Sequence, residues 1–80
     1  MPTVLREGPY RFFFWSGENR EPPHVHVVRE RLEAKLWIEP IVEVAQNWGF
    51  NRRELQKIHE LTERNRGVIL KAWHEHFDQD

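Results

Sequence analysis

Two adjacent prolines, Pro22 and Pro23, stand directly before His24-Val25-His26-Val27-Val28. Proline donates no backbone hydrogen bond and biases the residue before it towards extended geometry, so strand pairing begins only after them, at about His24. From there the β-branched residues favour a strand, whose side chains alternate between two faces. His24 and His26 therefore share one side, and Val25 and Val27 the other. Nowhere else does local geometry hold together two side chains able to exchange a proton near neutral pH.

The neighbouring stretches supply partners for that strand. Met1 to Pro9 reads as an extended lead-in, with an edge strand around Thr3-Val4-Leu5 and a turn at Gly8-Pro9. The aromatic run Tyr10 to Ser16 is a strand, and Gly17 to Glu21 a polar loop. A third strand follows at Glu33 to Ile38, after the charged turn Arg29-Glu30-Arg31, and Pro40 closes it. Alternation sorts these strands into two sets. Phe12, Phe14, Val25, Val27, Ala34, Leu36 and Ile38 form a wholly apolar face that requires a helix. Arg11, Phe13, Trp15, His24, His26, Glu33, Lys35 and Trp37 form a mixed aromatic and ionisable face, open to water, a ligand or a partner.

Ile41 to Ala45 suits either a fourth strand or a short helical turn, and Gly49 breaks the chain after it. Asn51 is then an N-cap with Glu54 three residues on, the spacing of a capping box. Positions 55, 58, 62, 65, 69, 72 and 76, flanked by Leu61, Val68, Trp73 and Phe77, step by threes and fours, which predicts an amphipathic helix from Arg52 to Phe77. Gly67 costs about 1 kcal/mol there relative to alanine, so the helix is one kinked piece or two collinear ones divided near Asn65-Arg66-Gly67. The expected architecture is one α+β domain over residues 1–80: an antiparallel sheet of three or four strands, then a long C-terminal helix on the apolar face.

At 80 residues the chain hides only about 60% of its unfolded surface. It has no cysteine for disulfides or thiolate zinc, and small scaffolds without such staples often rely on a partner chain. Four tryptophans and five phenylalanines exceed what one small core covers, placing some at an interface. Charge is balanced, with formal net charge −1, so any nucleic-acid role needs a local patch. Without an apolar run of membrane-spanning length or a signal-like start, a cytoplasmic protein is expected.

The histidine pair admits three readings. In the catalytic one, one imidazole takes a proton from a nucleophile such as a ribose 2′-hydroxyl while the other, protonated, supplies one to the leaving oxygen. Lys35 or Arg11 then stabilises the charge growing on phosphorus, and no metal or other cofactor is required. In the metal reading, Glu33 or Glu39 completes a three-ligand set. In the third, the pair is structural, and His-x-His alone is a weak signal. Arg11, Phe13, Trp15, Lys35 and Trp37 match either a base-stacking platform or a protein interface. Elsewhere the bland reading wins. Arg52-Arg53 and Arg64-Asn65-Arg66 sit among glutamates on a solvated helix face. His74 and His76 face different directions. Asn65 pairs with a backbone group or sets the register of an association, and Glu18 and Glu21 are reserve catalytic carboxylates.

Met1-Pro2-Thr3-Val4, Tyr10-Arg11-Phe12-Phe13-Phe14 with Trp15-Ser16, Glu21-Pro22-Pro23-His24-Val25-His26-Val27, Ala34-Lys35-Leu36-Trp37, Gly49-Phe50, Asn65 and Trp73-His74-Glu75 together resemble the bacterial domain-of-unknown-function family numbered 4160. The resemblance implies a small cytoplasmic protein encoded beside a second short one, as in toxin–antitoxin pairs, with this chain the toxin-like member bound by a cognate antitoxin-like protein in a dimer or hetero-oligomer. The expected function is then a toxin that cleaves RNA without metal. His24, His26 and Lys35 would be catalytic, Arg11 would hold phosphate, and Trp15 and Trp37 would stack a base. The rival expectation is a non-enzymatic binding module, an antitoxin or regulatory partner, that docks protein or nucleic acid on the aromatic face.

Overall fold

A computed structural model describes residues 3–15, 17 and 20–77. Met1, Pro2, Ser16 and the reserve carboxylate Glu18 lie outside the described residues. The elements are β1 (Thr3–Glu7), β2 (Tyr10–Phe13), β3 (His24–Arg29), β4 (Leu32–Trp37), β5 (Glu43–Trp48), α1 (Arg52–Arg64) and α2 (Arg66–Phe77). The strands form one antiparallel sheet in chain order, with β1 and β5 at its edges.

The α+β class is as expected, but the sheet has five strands rather than three or four. The ambiguous stretch becomes β5, which starts at Glu43 and continues to Trp48 because it finds β4 to pair with. Periodicity over so few residues does not reveal that partner. The aromatic strand instead stops at Phe13, and Phe14 leaves the ladder to meet Trp73 and Phe77 of α2.

The single long helix also needs correction. It is interrupted at Asn65 (φ −104°, ψ 15°), whose side-chain amide donates to the Leu61 carbonyl at 2.8 Å. Gly67 lies within α2, so the break belongs to the residue that offers the backbone a competing hydrogen bond rather than to the glycine. Beyond the break Ile69 keeps to the expected stripe, but the next buried position is Trp73 rather than Ala72. Ile69 and Trp73 are buried, while Val68 is 57% exposed and His76 lies at the surface.

The apolar set forms as alternation requires. Phe12, Phe14, Val25, Val27, Ala34, Leu36 and Ile38 are all at most 1% exposed and join Ile58, Ile69 and Trp73 of the helices in one core. Each fully buried large side chain there contributes about 1.5–3 kcal/mol relative to exposure.

Asn51 caps α1 by accepting the Glu54 backbone N–H at 2.8 Å. The Glu54 carboxylate does not return to the cap. It accepts Arg29 Nε and Nη2 together with the Tyr10 hydroxyl, tying the first turn of α1 to β2 and β3. Hydrogen bonding to the Arg29 guanidinium holds the Glu54 carboxyl below the usual carboxylate range and raises Arg29 in turn. Burial, then the Glu54 carboxylate, pushes the Tyr10 phenol up. A carboxyl depressed on folding stabilises the protein above its unfolded pKa, and that contribution fades as pH falls through the folded value. Thermal unfolding midpoints are expected to fall below about pH 4. Glu54→Gln is expected to lower the midpoint at pH 7 and flatten the acid limb; an unchanged limb in scanning calorimetry would remove this clamp from the account.

Candidate functional site: the histidine face of the sheet

The opposite sheet face carries the mixed set as parity demands. In the strand registers Phe13 stands beside His26 and His26 beside Lys35, with His24 beside Trp37. Ring centroids of His24 and His26 lie 5.4 Å apart, and Phe13 stacks on His26 at 5.5 Å. The Arg11 guanidinium lies 5.0 Å above the Phe13 ring, and Lys35 Nζ 4.8 Å above Trp37. His24, His26, Lys35, Arg11, Trp15 and Trp37 are thus neighbours on one surface.

That surface is not bare, and here the expectation of displayed imidazoles is overturned. His24 is 0% exposed, His26 3% and Lys35 8%. Three things cover them. Trp73 of α2 meets His24 at 5.0 Å between ring centroids, at the end of the sheet where β3 begins. Trp15 stands edge-on to His26 at 6.0 Å. The Glu21–Pro23 segment lies alongside, with Ile38 N–H donating to the Pro23 carbonyl at 3.0 Å.

Each ionisable group buried there has a partner, as burial requires. His24 Nδ1 lies 3.0 Å from the Pro22 carbonyl, which only accepts, so Nδ1 carries the proton. His26 Nδ1 donates to Glu33 at 3.0 Å, and Trp15 Nε1 reaches the same oxygen at 3.4 Å. Lys35 donates to Glu21 at 2.6 Å, and that oxygen stands 3.8 Å from His24 Nε2. Lys35, expected to meet a developing phosphate charge, is therefore already neutralised by a carboxylate. Glu21 acquires the geometry that its sequence position did not supply. Glu33 serves His26 alone of the pair, and among the described residues no three His, Asp or Glu side chains gather as a metal set.

Arg11 is the exception. Its Nε is buried with no hydrogen-bond partner; the guanidinium lies over the Phe13 ring, and the residue across from it on β1 is Arg6. Across the Phe13 ring from it Trp15 is 40% exposed, whereas Trp37, the third side chain expected to bind substrate, is partly buried beneath Lys35 Nζ. Two clefts lie elsewhere: about 540 Å3 between β5 and α1, and about 260 Å3 between the β1–β2 turn and α1. Neither is lined by His24 or His26.

Fold and face together define a small α+β protein with a five-stranded meander, helices on its apolar side, and a sealed imidazole pair beneath aromatic and cationic groups on the other. The chain belongs to the domain of unknown function family DUF4160, whose model matches residues 10–74. No match was found among curated proteins or among solved structures. No described helix is long and apolar enough to cross a membrane.

Sequence reasoning missed Trp73 as the cover of His24, because strand parity says nothing about where a helix ends. The Tyr10–Glu54–Arg29 clamp was missed for a similar reason: its members are 25 and 44 residues apart along the chain.

Proposed function

We propose that this chain works by docking a partner protein on its aromatic face, as one member of a bacterial two-protein module in the cytoplasm. Arg11 carries this reading. A guanidinium that is only partly buried, with no carboxylate partner among the described residues, and a 40% exposed tryptophan across the Phe13 ring gain most from an incoming carboxylate at the terminal nitrogens and an apolar contact. Tryptophan and arginine are also what interface centres concentrate. Beneath them, the partnered histidines act as a rigid floor. Of the two places in such a module, this reading gives the chain the toxin-like one.

Acid–base cleavage of RNA is the second reading, favoured by two imidazoles 5.4 Å apart beside an unneutralised arginine. It requires Trp15 and Glu21 to swing aside, because a 2′-hydroxyl has to come within hydrogen-bond reach of a ring.

Co-expression with the tagged product of the adjacent small reading frame tests docking. Wild type is expected to co-purify, and Trp15→Ala with Arg11→Ala to weaken the complex by about tenfold or more. Undiminished binding by that folded double variant overturns the proposal. Induction of the chain alone, with and without that partner, assigns the toxin-like place if growth arrest appears and the partner relieves it. Cleavage of a labelled single-stranded RNA by wild type but not by His26→Asn would instead favour the enzymatic reading.

A further inference from the structure

The second surface lies at the other side of the molecule, where the sheet ends at β5. One edge of β5 pairs with β4 and the other edge has no strand beside it. Of its six residues, Glu43 to Trp48, only Glu43 is charged, and of the devices that commonly blunt a sheet edge it has no lysine or proline, only a register shift at Ala45. Apolar groups crowd this edge: Trp48 is 49% exposed, and Ile41, just before the strand, 63%. The 540 Å3 cleft runs beside it, walled by Val44 of β5 and by Arg52, Leu55, Gln56, His59 and Glu60 of α1. Helix α1 thus flanks the free edge.

The charges along that wall are self-complementary. Arg52, Gln56 and Glu60 follow at intervals of four, so they form one stripe on α1: cation, neutral amide, anion. A two-fold axis at Gln56 sets each Arg52 opposite the other copy's Glu60. Such an axis makes an isologous interface, in which one patch recognises itself. The same operation runs the two β5 strands antiparallel, as an added strand must run to continue a meander. Any axis that crosses β5 away from Glu43 also keeps the two Glu43 carboxylates out of directly opposed positions.

The geometry points to a second copy of this chain as the occupant of the cleft, with β5 edges joined and α1 stripes paired by charge. Strands β3 and β4 separate this edge from β2, so the dimer leaves Arg11 and Trp15 open, and its test is independent of the docking proposal.

Sedimentation equilibrium of the intact chain is expected to show a concentration-dependent dimer that weakens with salt. Arg52→Glu or Glu60→Arg alone places like charges opposite each other twice per dimer, and each is expected to raise the dimer Kd about tenfold or more. Mixing the two variants in equal amounts brings the new carboxylate opposite the new guanidinium and restores association. Both positions are exposed, so the variants keep the fold, which circular dichroism verifies. A chain monomeric up to about 1 mM overturns the inference. So does a dimer that neither variant weakens, or a pair of variants that fails to recover on mixing.

Discussion

Trp73→Ala is expected to cost about 3–5 kcal/mol, the range for truncating a large aromatic side chain in a packed core. The indole is 4% exposed and meets Phe77 at 4.2 Å, His24 at 5.0 Å and Phe14 at 5.3 Å between ring centroids. It joins the hydrophobic core to the histidine face, so its loss opens both. At about 0.05–0.15 kcal/mol per residue, a chain of this length has about 4–12 kcal/mol in all, so the loss is a large share of its stability. Urea unfolding gives the magnitude, with Val68→Ala as the control, since that side chain is 57% exposed and should change stability by no more than about 0.5 kcal/mol. Under mildly destabilising conditions His24 should also become open to diethyl pyrocarbonate in Trp73→Ala while staying protected in wild type. A loss of under about 1 kcal/mol would show that α2 does not close over the sheet end as described.

The second large effect concerns His24 itself. Its ring is fully enclosed, so His24→Ala leaves a cavity and deprives the Pro22 carbonyl of its donor, at a combined cost of about 2–4 kcal/mol. His24→Asn should lose clearly less, because an asparagine amide can place a nitrogen near the position of Nδ1 and keep the bond to Pro22. Chemical denaturation of the two variants side by side measures the difference, and equal losses would remove that hydrogen bond from the argument. The pair also protects any growth or cleavage assay from misreading. Activity lost in His24→Ala yet kept in His24→Asn reports stability, whereas activity lost in both while His24→Asn stays folded reports a role for the imidazole.

Charged groups follow the same logic of partners. Lys35 and Glu21 neutralise one another, and His26 shares Glu33 with Trp15, so most of the polar atoms under the aromatic face are satisfied within the chain. Arg11 is left over, and an unsatisfied buried donor is costly unless something completes it. That imbalance is why the binding reading is preferred to the hydrolytic one: the arginine without a carboxylate partner is only partly buried, whereas the groups that would move protons are sealed underneath.

By itself the sequence determined which side chains share a face. Alternation along β2, β3 and β4 depends only on the two-residue repeat of an extended backbone, so Phe12, Val25, Leu36 and Ile38 had to lie together, as did Phe13, His24, His26 and Lys35. The Asn51 cap and the neighbourhood of the helix break were legible for the same reason: they depend on contacts within a turn or two. Tertiary structure alone decided what lies over each face. Trp73 sealing His24, Glu21 returning to Lys35, and Glu54 leaving its cap for Arg29 and Tyr10 are contacts between remote segments, set by how a whole sheet twists and where a helix runs out. No local period encodes those meetings, and they are what turned a histidine pair expected on an open surface into the floor beneath it.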